Sequence, residues 1–137
     1  MNESPSYCVF VADDDEDDRF LLQLAFQQQS PHSVVVFAVD GLDLLSALAE
    51  SHRHPRLIVL DLNMPRLNGL ETLEALRRME VYRVTPIVIL TTSSDDFYRQ
   101  KAYDLGANDY LVKSLSLDSL LRTVGKLVAD WDLIHCI

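Results

Sequence analysis

Glycine is scarce, with four residues among 137. None stands in the spacing of a Walker A loop or a dinucleotide fingerprint, so both of those phosphate cradles are absent. Cysteine is scarcer still. Cys8 and Cys136 sit near opposite ends, with neither metal-ligand spacing nor the density of a disulfide scaffold. Cys8 reads as a small buried hydrophobe and Cys136 as a thiol of the tail. Basic residues number 12 against 21 acidic ones, a net charge of −9, which excludes a surface built to hold nucleic-acid phosphates. No apolar run approaches a membrane span, and Met1–Ser6 is too short and polar for a signal peptide, so a soluble cytoplasmic protein is the default. His32, His52, His54 and His135 lack ligand spacing and read as exposed loop or tail residues.

What is present fits one compact α/β domain. The length suits a single core, and 48% hydrophobic residues exclude a disordered chain. Cys8–Ala12, Ser33–Val39, Leu57–Leu60, Ile87–Leu90 and Asp109–Val112 are short, rich in Val and Ile, and mostly continuous in hydrophobicity. That is the pattern of parallel strands covered on both faces. Between them lie helical patterns over Asp17–Gln29, Leu42–Glu50, Leu70–Met79 and Phe97–Leu105, the last followed by Gly106 as a C-terminal cap. A final stripe runs through Leu117, Leu120, Leu121, Val124, Leu127, Val128 and Trp131 at 3.6-residue spacing. The order is (βα)₅, which right-handed crossovers favour as a doubly wound, flavodoxin-like parallel sheet of five strands with helices on both faces. One domain is expected over residues 1–137, with a short tail at 1–6. An apolar extension at 131–137 (WDLIHCI) either packs back on the domain or enters an interface.

In such a sheet, ligands bind beyond the carboxyl ends of the strands. Four of the five predicted strands end in a polar residue of chemical use: Asp13 and Asp14 after the first, Asp61 after the third, Thr91 after the fourth and Lys113 after the fifth. Any one of them alone reads as a turn former, a cap or a solvated side chain; their convergence on one edge carries the functional reading. Carboxylates gathered at one point repel and raise one another's pKa unless a cation neutralises them. Mg²⁺ suits an all-oxygen site and commonly bridges carboxylates to a phosphate. Lys113 adds a compact positive charge and Thr91 a hydroxyl donor, which together meet the needs of phosphoryl transfer. A calcium loop starting at Asp13 is excluded, because its sixth and twelfth places hold Asp18 and Leu24 in place of Gly and Glu.

The stretches VADDDEDDR, LIVLDLNMPRLNGLE, PIVILTT and ANDYLVK resemble the receiver domains of two-component response regulators, including single-domain chemotaxis regulators. The likeness spans about Cys8 to Val128, and the run from Asp61 through Met64–Pro65 to Gly69 is its most specific part. The resemblance implies that Asp61 accepts a phosphoryl group as an aspartyl phosphate. It further implies that Asp14, Asp61 and the backbone carbonyl of Asn63 ligate Mg²⁺ directly, with Asp13 acting through a water. Thr91 and Lys113 would contact the phosphoryl group, and Tyr110 would be the aromatic switch residue paired with Thr91. The donor it implies is a sensor histidine kinase or a histidine phosphotransfer protein. The receiver then promotes only its own phosphorylation and hydrolysis, and output passes to a downstream protein partner from a monomer or a phosphorylation-dependent dimer.

Three positions depart from the family pattern. Ser114 replaces a proline that follows the lysine across a cis bond, so the Lys113–Ser114 bond is expected either trans with a shifted loop or strained and cis, at a cost of about 3 kcal/mol. Thr92 is bulkier than the usual Ala or Gly and narrows access to the phosphoryl group. Asp15 adds a carboxylate that reads as a solvent-facing residue starting the first helix. Two other functions compete with the stand-alone phosphorelay receiver. A pseudo-receiver scaffold would bind partners regardless of phosphorylation, and a Mg²⁺-dependent phosphohydrolase would need a substrate cap for which the short connections leave no room.

Overall fold

The computed structural model describes residues 8–114 and 116–131. Five parallel strands, β1 (Cys8–Ala12), β2 (Val34–Ala38), β3 (Leu57–Leu60), β4 (Ile87–Thr91) and β5 (Asp109–Val112), alternate with helices α1 (Glu16–Gln29), α2 (Gly41–Glu50), α3 (Gly69–Arg77), α4 (Asp96–Asp104) and α5 (Leu117–Asp130). The sheet order is β2-β1-β3-β4-β5, so the winding reverses between β1 and β3. This is the expected flavodoxin-like topology.

Strand alternation builds two cores. Phe10, Ala12, Ile58, Leu60, Ile87, Ile89 and Tyr110 point to one face, where Leu44 and Leu48 of α2 and Leu73 and Leu76 of α3 cover them. Val9, Val11, Leu57, Val59, Val88 and Leu90 point to the other, under Leu22, Ala25 and Phe26 of α1 and Leu120, Val124, Leu127 and Val128 of α5. Successive side chains of a strand face opposite ways, and because both faces are covered the strands carry no polar alternation. Helix α4 is the outlier: Ala102 is its one buried residue, whereas Phe97, Tyr98 and Tyr103 are exposed.

Short polar side chains start each helix. Asp15, Asp40 and Ser116 accept the N–H three residues on in α1, α2 and α5, and Asn68 forms a reciprocal capping box with Glu71 in α3. Asp15 is thus the cap just outside α1, not a residue of its first turn. Strand β2 is two residues shorter than its apolar run, because Ser33 and Val39 fall outside its pairing with β1. The helical pattern read to Met79 stops at Arg77, and a 3₁₀ turn follows at Glu80–Tyr82. One side chain accounts for this change of course. The Arg77 guanidinium donates to the carbonyls of Tyr82 (2.7 Å), Thr85 (2.8 Å) and Gly106 (2.9 and 3.0 Å) and to the side-chain oxygen of Asn108 (2.9 Å). Gly106, at φ +104, occupies the left-handed cap position after α4.

Cys8 is buried, and burial pushes its thiol pKa up. His32, His52 and His54 are exposed; His54 pairs with the Thr85 hydroxyl at 3.0 Å and stacks on Tyr82. Of the apolar extension, Trp131 packs against the core under α1 and α5, while residues 132–137 lie outside the described residues, as do the tail at 1–6, His135 and Cys136.

The Arg77 fork leads to a stability test. Arg77→Met is expected to lower urea-unfolding stability by about 2 kcal/mol, since several carbonyls lose their donor. Arg77→Lys is expected to recover less than half of that, because an ammonium cannot span the fork. Full recovery by lysine would show that charge, not geometry, matters there.

Candidate functional site

Strand register brings the predicted residues together. Ala12 lies opposite Leu60, so Asp13 and Asp61 leave neighbouring strands side by side, at the point where the winding reverses. The Asp61 N–H donates to the Ala12 carbonyl and the Asp13 N–H to the Ala38 carbonyl, each at 3.0 Å. Thr91 lies opposite Val112, and the next N–H, that of Lys113, donates back to the Thr91 carbonyl. All four chemically marked strand ends therefore meet on one edge.

Asp13, Asp14 and Asp61 each bring a carboxylate oxygen within 4.8 Å of the others. Asp13 and Asp61 are buried and Asp14 is exposed. The Lys113 ammonium is buried among them and donates to Asp13 Oδ2 at 2.7 Å, Asp18 Oδ2 at 2.7 Å and Asp61 Oδ2 at 3.2 Å. An ammonium has three protons, and all three are committed. Burial alone would lower the Lys113 pKa; the hydrogen bonds to Asp13 and Asp18 and the charge of Asp61 reverse this and raise it. Burial also raises the Asp13 pKa, against the opposing pull of Lys113 and of the Asp15 N–H on its carboxylate. Burial thus outweighs the Lys113 hydrogen bond at Asp13, and the lysine that opposes it has all its protons engaged.

Asp18 is the site residue that sequence reasoning missed. Its only signal was membership of the six-residue acidic run, which five neighbours share. The start of α1 decides which of these acids turns inward. With Asp15 as cap, accepting the Asp18 N–H at 3.0 Å, the first helical turn carries the Asp18 carboxylate back over Lys113. Asp14, Asp15, Glu16 and Asp17 remain exposed.

On the other side of the site Thr91 is fully buried. Its Oγ1 accepts the Ser93 N–H at 3.5 Å, and the Ser93 carbonyl accepts the hydroxyl of buried Tyr110 at 2.8 Å. Ser93 therefore links Thr91 to Tyr110, whose ring lies under the Arg99 guanidinium at 4.7 Å. Thr92 is exposed. The described residues contain no cis peptide, so the Lys113–Ser114 bond is trans. Lys113 nevertheless reaches Asp61, which settles the open question about that loop.

The loop between β3 and α3 completes the site. Asp61 Oδ1 accepts the Leu62 N–H at 2.7 Å. A side chain at Gly69 would place its Cβ 2.1 Å from the Asp61 carbonyl oxygen, so the loop closes this tightly only over glycine. Asn63, Met64, Pro65, Asn68, Ser93, Tyr98 and Asp14 line a cavity of about 590 Å³ beside the carboxylates. Tyr98 of α4 borders this cavity and leaves the core to Ala102. Three carboxylates share one ammonium here, and a fourth, that of Asp14, has no basic partner among the described residues. A hard divalent cation taking oxygen ligands fits that donor set and its charge deficit.

Residues 9–125 match the family model described as response regulator receiver domain. The probable methanogenesis regulatory protein FilR2 of Methanothrix harundinacea is 33% identical over 129 residues, covering 91% of this chain and 83% of its own. Response regulator Rcp1 of Synechocystis is 30% identical over 132 residues, 93% of this chain and 89% of its own; a Mn²⁺-bound form of Rcp1 superposes with a TM-score of 0.82 over 96% of each chain at 26% identity. The phosphorylated cyanobacterial phytochrome response regulator RcpA superposes with a TM-score of 0.85, at 29% identity, over 92% of this chain and 94% of its own.

The charge deficit yields a test of the fold alone. In EDTA, Asp14→Asn is expected to stabilise the protein by about 1 kcal/mol, raising the calorimetric midpoint by roughly 4 °C, because it removes an uncompensated charge from the cluster. A lower midpoint would contradict the account of the cluster as electrostatically strained.

Proposed function

Given that the chain belongs to the response regulator receiver domain family, we propose that it is a phosphorylation switch in which Asp61 accepts a phosphoryl group from a partner phosphohistidine. Members of this family act as signalling switches and not as enzymes on a separate substrate. The observation that carries the reading is the convergence of Asp13, Asp14, Asp61, Thr91 and Lys113 at four strand ends around one lysine.

In this reading Asp14, Asp61 and the Asn63 carbonyl would hold Mg²⁺ directly, and Asp13 would act on it through a water. Once bound, the ion supplies charge neutralisation for the incoming phosphoryl oxygens. The Mn²⁺-bound form of Rcp1 and the phosphorylated form of RcpA support this assignment by analogy. During transfer the N–P bond of the donor breaks, an Asp61 oxygen forms the new P–O bond, and the departing imidazole keeps the electron pair. Lys113, already 3.2 Å from Asp61 Oδ2, turns its ammonium from that carboxylate to a phosphoryl oxygen. Thr91 donates its hydroxyl to another. That movement draws on the Ser93 N–H that Thr91 now holds, and through the Ser93 carbonyl on Tyr110.

The consequence reaches the surface of α4, β5 and α5, where Phe97, Tyr98, Tyr103 and Val112 are exposed. A helix with a single buried residue is held weakly and is easily repositioned. The donor is a sensor histidine kinase or a histidine phosphotransfer protein, and the output is a downstream protein that recognises this face, with the receiver acting as a monomer or as a phosphorylation-dependent dimer. No helix of the described residues is long and apolar enough to cross a membrane, and a cytoplasmic location follows from the donor class. Every residue the chemistry requires is present, so no feature favours a pseudo-receiver.

Incubation with Mg²⁺ and phosphoramidate is expected to add one phosphoryl group per chain by intact mass. Asp61→Asn should abolish it, and Asp14→Asn should remove both the reaction and the Mg²⁺-induced rise in midpoint. Folded wild-type protein that stays unmodified would sink the proposal.

A further inference from the structure

The second strand is the one whose end carries no residue of the phosphoryl chemistry, and the structure gives that end another task. Asp40, two residues beyond β2, caps α2 by accepting the Asp43 N–H at 2.9 Å. Both of its carboxylate oxygens also receive the Arg66 guanidinium, Nε to Oδ2 at 2.6 Å and Nη2 to Oδ1 at 3.0 Å. The Asp40 side chain is buried, whereas that of Arg66 is more than half exposed. The Arg66 hydrogen bonds hold the Asp40 carboxyl below its ordinary range.

Arg66 belongs to the loop that carries Asn63, and its backbone is unusual. It is the one non-glycine of positive φ among the described residues, at +63. The Leu67 N–H donates across it to the Pro65 carbonyl at 2.6 Å, which makes a γ-turn centred on Arg66. A residue with a Cβ holds that conformation only where its surroundings impose it. Those surroundings are the β2–α2 corner. Besides the Asp40 fork, the Gly41 N–H donates to the Leu67 carbonyl at 3.1 Å, so the turn is gripped by both side chain and main chain. The same corner supports the first acidic residue, because the Ala38 carbonyl receives the Asp13 N–H at 3.0 Å.

We infer that the Asp40–Arg66 pair is a latch that positions the metal-binding loop. It holds Leu62–Pro65, and with it the Asn63 carbonyl, in register with the Asp13–Asp14 segment by fastening both to one corner. Asp40 and Arg66 are positioning residues and touch neither the phosphoryl group nor the ion. The inference rests on the reading of Asp13, Asp14, Asp61 and Asn63 as a Mg²⁺ site. Groups that orient metal ligands from outside typically change affinity by roughly 10- to 100-fold when removed.

The test measures Mg²⁺ affinity by isothermal titration calorimetry and stability by scanning calorimetry on the full chain. Arg66→Gly is the informative variant, because glycine adopts a positive φ without strain, so the turn survives while the fork is lost. Asp40→Asn keeps a competent helix cap and removes the charge that the fork grips. Each is expected to weaken Mg²⁺ binding about tenfold, with the double variant no weaker than the worse single one, since both break one interaction. Arg66→Lys should fall between, and phosphorylation by phosphoramidate should return to the wild-type level at saturating Mg²⁺. If both single variants bind Mg²⁺ within twofold of wild type, whatever their midpoints, the pair only stabilises the fold and the inference is overturned. Wild-type protein that binds no Mg²⁺ would remove the site reading itself and the latch with it.

Discussion

One ammonium group holds this site together. Lys113 is buried against Asp13, Asp18 and Asp61, three carboxylates that would otherwise repel one another in a poorly solvated crevice. A buried charge is tolerable only where it is paired, and here a single cation is shared among more anions than it can neutralise. The remaining deficit, expressed in an exposed Asp14 with no basic partner among the described residues, is what makes the crevice receptive to a divalent cation. The same shortage makes Lys113 responsive: whatever adds negative charge at Asp61 competes for an ammonium whose protons are all in use.

The rest of the fold maintains that arrangement. Parallel register delivers Asp13 and Asp61 side by side and Lys113 beside Thr91, and two hydrophobic cores, one on each face, keep the four contributing strands from shifting. The glycine at 69 lets the β3–α3 loop fold onto the Asp61 backbone. The corner after β2 grips the same loop from the far side through Asp40 and Gly41. Against this fixed frame α4 stands out. Apart from Ala102 it buries nothing, and it follows directly on the Thr91–Ser93 segment whose hydrogen bonds end at Tyr110. A rigid anion site joined to a loosely packed helix is a physical basis for converting a local charge change into a change of surface.

Much of this was legible in the chain alone. Continuous runs of Val and Ile announce buried parallel strands, and the strand-end rule then gathers Asp13, Asp14, Asp61, Thr91 and Lys113 on one edge without any coordinates. Short polar residues ahead of apolar stripes mark helix starts to within a residue or so, although the cap at Asp15 and the early stop at Arg77 shift two boundaries. Those shifts have local causes, a side-chain oxygen claiming the Asp18 N–H and a guanidinium claiming carbonyls far along the chain. The second cause depends on groups brought close only by folding.

The sequence by itself determined the order of elements, the class of sheet and the identity of the polar residues that meet at its strand ends, because periodicity and strand-end position are properties of neighbouring residues. Tertiary structure alone decided which member of the acidic run faces Lys113, that the Lys113–Ser114 bond is trans and still lets the lysine reach Asp61, and that Asp40 grips Arg66 across 26 residues. Each of these turns on distances between segments remote in the chain. Such distances follow from how helices seat on the sheet, and no local pattern of residues encodes them.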